Sequence, residues 1–460
     1  MKKQNERILK ASFRDPAGFL FFRGDKLYRQ LNHSCQQDYE RLMDSSLYQQ
    51  LVENRLLIPH QEVDIKPARA EIAYKIIQPE RLPFISYPYE WCFSQLKSAA
   101  LSTLKIQKMA LDHGMTLKDA SAYNLQFQGA EPIFIDTLSF QIQKEGEPWP
   151  AYRQFCQHFL APLALMSYCD IRLNKLFRVH LDGIPLDLAS SLLPLKSRFS
   201  FSLLSHLHLH ARGQNHFAQR EIDQKKVRMG KLSLRGIIDS LEGAIKKLKW
   251  EPNDSTWSGY YQEHSYSETG LKKKKQLVKE FLETTGAELV WDLGANTGLF
   301  SRLTAEKATL TLAFDLDPAC VERNYRQLLK DQAPGILPLV LDLRNPSPGL
   351  GWEHEERNSL KERGPADLLL SLALVHHLAL GNNLPLERIA EYFSSLGKYI
   401  IIEFIPLSDP RARGLISGRE NLFSSYTQQN FEQQFSRYYQ LLEKESLPES
   451  ERVMYLMEGK

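Results

Sequence analysis

Val290-Trp291-Asp292-Leu293-Gly294-Ala295-Asn296-Thr297-Gly298 is the stretch that decides how this chain is read. An apolar run beginning near Glu288 ends at Asp292-Leu293 and reads as a buried strand. Gly294 and Gly298 then allow a tight turn into a helix over Leu299–Glu306. The same alternation continues downstream. Leu310–Phe314 is a second strand, ended by Asp315-Leu316-Asp317-Pro318, and the proline fits the first turn of a helix over Ala319–Leu329. Ile336–Leu341 is a third strand, closed by Asp342. Asp367–Leu374 is a fourth, followed by Val375-His376-His377-Leu378. A helix near Leu386–Phe393 leads to a fifth, Tyr399–Phe404. Strands alternating with helices imply parallel βαβ units whose helices cover both faces of the sheet. Tyr439–Leu447 and Arg452–Met457, separated by Pro448-Glu449-Ser450-Glu451, read as an antiparallel hairpin. The predicted fold class of this half is therefore α/β, a doubly wound, Rossmann-like sheet with a terminal antiparallel hairpin.

Ligands of such sheets sit beyond the carboxyl ends of the strands, at the switch in strand order. Asp292, Asp315 and Asp342 fall at those ends. A dinucleotide fingerprint would need glycine at the first, third and sixth positions from Gly294, where this chain has Gly294, Asn296 and Leu299. A P-loop fails as well, because no Gly-Lys-Ser/Thr follows the turn. An acid two residues before the first glycine suits a ligand bearing an ammonium group better than a pyrophosphate.

These residues resemble the class I S-adenosylmethionine-dependent methyltransferases. Asp292-Leu293-Gly294-Ala295-Asn296-Thr297-Gly298 is similar to that family's first motif, with Asn296 in place of the middle glycine. Phe314-Asp315-Leu316-Asp317-Pro318 is similar to the second-strand motif, whose acid holds the ribose hydroxyls. Asp342 matches the third-strand acid near the adenine amine, and Ala373–Leu378 the segment that lines the methyl-transfer site. The resemblance spans roughly residues 256–460 and implies a seven-stranded sheet with S-adenosyl-L-methionine as cofactor. Asp292, Gly294, Asn296, Gly298, Asp315 and Asp342 are its expected cofactor-binding residues, and no metal is expected.

The implied chemistry is in-line displacement at the sulfonium methyl by an O, N or C nucleophile, with the protein supplying alignment and desolvation. His376 and His377 are the titratable candidates near the methyl, one of them a base and the other a packing or capping residue. Glu403 is either a second base candidate or a helix-capping acid. Trp257, Tyr260, Tyr261 and Tyr266 read either as a lid over the cofactor cleft or as packing between domains, and Arg411–Arg419 as a lining of the substrate mouth.

The front half carries fewer signals. A hairpin is predicted around Arg23–Lys26 and a long helix over Trp91–His113. Lys118–Asn124 followed by Pro132–Asp136 resembles, in part, the catalytic loop and metal-binding aspartate of protein-kinase-like folds, through Asp119, Asn124 and Asp136. Ser121 stands where lysine is usual, Thr137-Leu138 replaces Phe-Gly, and no glycine-rich loop precedes, so a degenerate recognition module is favoured over a phosphotransferase, and a generic helical domain that merely shows this spacing has equal standing with the two together. Lys75 is the candidate phosphate lysine. His206, His208 and His210 alternate as on one face of a strand, with His216 beyond, but no acid or cysteine completes a metal site.

Whole-chain numbers bound the rest. The chain has 460 residues, 43% hydrophobic and 25% charged, with 58 basic and 55 acidic side chains. That is ordinary globular composition and excludes a disordered or collagen-like chain. No run of about 18 apolar residues reads as a membrane span. Five scattered cysteines and a start without a secretory signal suggest a cytoplasmic protein. The charge is uneven: 26 basic against 21 acidic in 1–215, 9 against 4 in 216–250, and 23 against 30 in 251–460. The expected layout is an N-terminal α+β recognition domain (1–215), a basic helical connector (216–255) and a methyltransferase domain (256–460). This layout also resembles bacterial nodulation-type methyltransferases. The basic connector reads as a solvated helical face or a dock for an anionic partner, and Lys272–Lys275 as the opening of a helix. The expected acceptor is a small molecule or a protein, with nucleic acid less favoured, and oligomeric state is open. Two alternatives stand: a non-catalytic S-adenosylmethionine-binding recognition protein, and a phosphotransferase using the N-terminal domain.

Overall fold

The computed structural model describes residues 6–210, 228–252, 266–417 and 423–460. It separates into two units, Met1–Glu251 with Gly349–Arg357, and Pro252–Pro348 with Asn358–Lys460. Residues 349–357, which lie in sequence between two strands of the second unit, thus belong to the first. There Arg14 donates to Glu356 (2.6 Å) and the Arg357 guanidinium lies 4.4 Å from the centre of the Tyr123 ring.

In the first unit β1 (Glu6–Ile8), β2 (Gly18–Arg23), β3 (Lys26–Asn32), β4 (His60–Glu62) and β5 (Ala73–Pro79) form an antiparallel sheet in the order β1-β2-β3-β5-β4. The predicted hairpin joins β2 to β3 with Arg23 opposite Lys26, through Gly24 at φ 61. Helices α1 (Gln36–Asp44), α2 (Leu47–Glu53) and α3 (Phe93–Asp112) follow. β6 (Met115–Leu117) pairs with β9 (Phe140–Ile142), and β7 (Leu125–Gln128) with β8 (Glu131–Phe134).

Two expectations about this half are corrected. The predicted connector contains α4 (Lys231–Lys247), which packs on α3 as part of the first unit. Leu234, Ile238, Leu241 and Ile245 are buried at helical spacing, while Lys246, Lys247 and Lys249 face solvent. Arg220, Lys225, Lys226 and His216 lie outside the described residues. Secondly, His206, His208 and His210 are not on a strand. Ser200 caps a helical segment from Phe201, continued over Leu204–Leu209, in which Leu203 and Leu207 are buried one turn apart. That period of about four outweighs the alternation of histidines. His206 bonds Tyr152 (2.7 Å) and Ser240 (2.8 Å), and His208 bonds Ser190 (2.8 Å) and Ser197 (2.9 Å). Among the described residues no three His, Cys, Asp or Glu side chains are grouped to hold a metal.

The second unit is built on one seven-stranded sheet. α5 (Glu268–Thr285) is capped by Ser267, whose hydroxyl accepts from Gly270 N–H (3.0 Å), and it ends at Gly286 in the left-handed region (φ 60). β10 (Leu289–Leu293), α6 (Leu299–Ala305), β11 (Leu310–Asp315), α7 (Pro318–Asp331), β12 (Ile336–Val340), β13 (Ala366–Ser371), α8 (Leu386–Ser394) and β14 (Gly397–Phe404) alternate as expected. α9 (Pro410–Ile416), α10 (Gln428–Phe435), β15 (Tyr439–Ser446) and β16 (Val453–Gly459) complete it. The strand order is β12-β11-β10-β13-β14-β16-β15, with the first five parallel and β16 and β15 antiparallel to their neighbours. Order switches at β10, which pairs β11 on one side and β13 on the other. Pro338 is tolerated because β12 is an edge strand, and the other edge, β15, carries exposed Gln440, Glu443, Lys444 and Glu445 beside exposed Leu441 and Leu442.

The core on one side joins Leu277, Val278 and Phe281 of α5 to Val290, Leu368, Ile401, Met454 and Leu456 of the sheet. The predicted fourth strand stops at Ser371. Ala373 takes φ 52 and turns the chain, so His376 and His377 open a helical segment. No helix among the described residues is long and apolar enough to cross a membrane.

Candidate functional site

The switch in strand order leaves a crevice at the carboxyl ends of β10, β11 and β13, and the glycine turn lies over it. Gly294 and Ala295 donate their N–H groups to the Phe314 carbonyl (2.9 Å each), which anchors the turn on β11. Gly294 (φ 81), Asn296 (φ 52) and Gly298 (φ 82) all take left-handed backbone. Asparagine is among the few residues that accept this region, so replacing the middle glycine does not change the turn. Glycine is required at 298. A Cβ there would lie 2.5 Å from Asn324 Nδ2 and 2.7 Å from Arg302 Nη1.

The acids at the strand ends differ in their partners. Asp315 Oδ2 accepts from Asn296 N–H (2.7 Å) and Oδ1 from Asp317 N–H (2.8 Å). Each oxygen therefore keeps a further lone pair, in a carboxylate that is half-buried. Asp292 is buried and accepts from Ser301 Oγ (2.6 Å). Burial pushes Asp292 up to about 7, with Asp315 adding to the rise while Ser301 and Lys274 oppose it. Burial likewise pushes Asp315 up to about 6 against the loop amides that favour its charged form. Asp342, beyond β12, is tied to its neighbour: Arg344 donates to both carboxylate oxygens (2.9 and 3.0 Å).

At the ends of β13 and β14 the candidates separate. His376 is fully buried, and neither ring nitrogen has a hydrogen-bond partner among the described residues. Its ring lies 4.0 Å from that of His377. Burial, then His377, Arg452, Arg411 and Lys274, hold His376 well below the usual histidine range, and burial with Arg411 brings His377 down to about 4. Both are neutral imidazoles near pH 7.

Glu403 is a counter-ion in this structure, neither an unpaired base nor a helix cap. It accepts from Lys274 (2.7 Å) and from the Tyr266 hydroxyl (2.7 and 3.0 Å), with Arg452 at 3.6 Å, and all three charged groups are buried. Arg452 is held in turn by Asp409 (2.8 Å), and its guanidinium lies 4.2 Å from the Tyr266 ring centre. Lys274 was hidden in sequence within Lys272–Lys275. The run does open a helix, but one of its members points inward, which its spacing of three and four from Leu277 and Val278 signals. Trp257, Tyr260 and Tyr261 of the expected lid, and Gly418 and Arg419 of the expected mouth, lie outside the described residues.

In the first unit, Asp119 accepts from Ser121 N–H (2.9 Å) and Gln154 Nε2 (2.8 Å), and burial, then Asp136, raise its pKa. Asp136 accepts from Arg29, from Ser139 Oγ (2.6 Å) and from Leu138 N–H (3.0 Å). Burial raises it, yet Arg29 and these hydrogen bonds together hold it below the usual carboxylate range. Asn124 Nδ2 donates to Ser139 Oγ (3.2 Å), and Lys75 pairs with Glu62 (2.7 Å). Asn124 and Asp136, which match the metal-binding positions of kinase-like folds, are thus engaged with an arginine and with a hydroxyl.

No protein-family model matches the chain. It is similar to nodulation protein NoeA of Rhizobium meliloti (strain 1021), with 35% identity over 460 residues that cover 97% of this chain and 95% of that protein. Among solved structures it is similar to the N-methyltransferase NodS of Bradyrhizobium japonicum WM9, with 9% identity and a TM-score of 0.31 over 42% of this chain and 98% of that one. It is also similar to the magnesium protoporphyrin IX methyltransferase of Synechocystis PCC 6803 with bound SAH, with 14% identity and a TM-score of 0.33 over 44% of this chain and 92% of that one.

Proposed function

This chain belongs to the family of nodulation protein NoeA, and from that premise we propose that it is an S-adenosylmethionine-dependent methyltransferase whose catalytic unit is the second one. The observation that carries the reading is the pairing of Asp315 with the glycine turn. The N–H of Asn296 fixes one carboxylate oxygen and the N–H of Asp317 the other, and both oxygens keep lone pairs for a diol. The residues fit the cofactor. The left-handed turn at Gly294 and Gly298 allows close backbone approach, and the buried acid Asp292 beneath it suits an ammonium group. In this reading Asp315 holds the ribose hydroxyls and Asp342 the adenine amine. Asp292 and the turn from Gly294 to Gly298, Asn296 included, hold the amino-acid portion.

The cofactor supplies the electrophilic methyl when bound. This chain's own contribution is to orient the acceptor, exclude water and take a proton. His376, with no partner for either nitrogen among the described residues, is the candidate for the last role, as a weak base whose protonation burial and the nearby cations disfavour. The His377 ring lies 4.0 Å from it, tilted by 40°, as a support. A small molecule or a protein is the acceptor this reading favours. The first unit serves recognition, since the contacts of Asp136 with Arg29 leave it poorly placed for a phosphotransferase. Calorimetry with S-adenosylmethionine and with S-adenosylhomocysteine tests the proposal. Asp315→Ala should abolish binding of both while the thermal transition is retained, and unchanged binding would overturn the assignment.

A further inference from the structure

Three short helical segments of the first unit, Leu186–Leu192, Leu195–Phe199 and Phe201–Leu209, pack on one another and are fastened from beneath by a single side chain. His208, buried, bonds Ser190 of the first through Nδ1 (2.8 Å) and Ser197 of the second through Nε2 (2.9 Å). On the outer side the same segments carry large apolar groups: Phe199 is 91% exposed, Phe201 80% and Leu195 71%, with Leu192 and Leu209 about half-exposed. Lys196 and Arg198 are exposed between them. The sequence around them is one-sided in charge, with no Asp or Glu anywhere from Leu188 to Arg220, a run of 33 residues.

We propose that this face docks on an anionic lipid surface, with Leu195, Phe199 and Phe201 entering the headgroup layer and Lys196 and Arg198 pairing with lipid phosphates. Isolated exposed apolar residues need no explanation, but a cluster of this kind on a fastened platform does. Charge selects the occupant. Lys196 and Arg198 interleaved with Leu195, Phe199 and Phe201, with one exposed acid, Asp187, at the start of the first segment and none from Leu188 to Arg220, match a negatively charged interface rather than a neutral or basic one. Shape points the same way. Side chains this exposed stand clear of the surface, and a fluid headgroup layer accepts them without matching cavities, whereas a rigid protein partner requires such cavities. The arrangement makes a peripheral contact, in keeping with a chain whose described helices are all too short or too polar to cross a bilayer.

The experiment is co-sedimentation of the full-length chain with vesicles of phosphatidylcholine alone and with roughly 30% phosphatidylglycerol added. Binding is expected only with the anionic vesicles, weakened about tenfold or more by Phe199→Glu together with Phe201→Glu, and weakened by about 0.5 M salt. Lys196→Glu with Arg198→Glu is the second variant, and it should lose binding while the apolar groups remain. Unchanged circular dichroism melts keep both variants interpretable, because the substituted side chains are exposed. Absence of binding to anionic vesicles overturns the proposal, as does binding that neither variant weakens. Vesicle-independent self-association that the phenylalanine variant abolishes overturns it too, since the face would then be a protein interface.

Discussion

Glu403→Gln tests the buried ion-pair network directly. Glu403 has no solvent exposure, Lys274 is 2% exposed and Arg452 1%, so neither cation can turn to water when the carboxylate is removed. Arg452 keeps Asp409, but among the described residues Lys274 has Glu403 alone within ion-pair distance. Removing one member of a buried pair costs about 3–5 kcal/mol, because the remaining charge stays desolvated. For a unit of this size that lowers Tm by roughly 6–20 °C. Burial already lowers the Lys274 pKa against the pull of Glu403. Without Glu403 it falls further, and the folded state then binds fewer protons than the unfolded one. Stability of the variant therefore rises with pH, and the deficit shrinks as pH climbs toward the ordinary lysine pKa. Glu403→Gln with Lys274→Met removes both charges and should be more stable than Glu403→Gln alone. The measurements are thermal melts across pH and hydrogen exchange of the β14 and β16 amides, which report on this unit. The reasoning is refuted if Glu403→Gln stays within about 0.5 kcal/mol of the parent, or if the double variant is the less stable of the two.

Gly298→Ala places a Cβ against Asn324 and Arg302 at φ 82 and should cost about 1–3 kcal/mol together with cofactor affinity, read by melting and calorimetry; a neutral result would contradict the packing of the turn. Asp292 and Asp315, raised to about 7 and 6, favour the protonated form in the free protein, so their contribution to stability is present at low pH and lost as pH rises through 6 to 7. A cationic ligand reverses that preference. Binding of S-adenosylmethionine at about pH 6.5 should release protons, measured as a dependence of heat on the buffer's ionisation enthalpy, and proton uptake would be the wrong sign. Adding magnesium and ATP to the full chain should give no heat of binding, because Arg29 and Ser139 engage Asp136; micromolar affinity would reinstate the phosphotransferase reading.

The sheet was legible because its signals are local. Most strands of the second unit end on an acid, a turn or a proline within a few residues, and the continuous apolar runs of the buried strands give way there to apolar residues at a spacing of about four. The glycine turn and Asp315 belong to that class, since the groups that bond one another sit at the ends of adjacent strands. What failed were readings that depended on who faces whom. Lys274 lay within a run of four lysines and Glu403 129 residues away, and only folding shows that they meet. His206 and His208 alternate like a strand, but buried leucines one turn apart set the helical period.

By itself, then, the sequence determined the element order, the hairpin at the end of the sheet and the acid-and-glycine arrangement at the strand ends. Each depends on backbone preference and burial within about ten residues. The tertiary structure decided that Glu403 is a counter-ion, that His376 is buried without a partner among the described residues, that Arg29 engages Asp136, and that residues 349–357 belong to the first unit. Those depend on desolvation and charge pairing between distant segments. The energy of a buried charge is set by what surrounds it in space rather than by its neighbours along the chain.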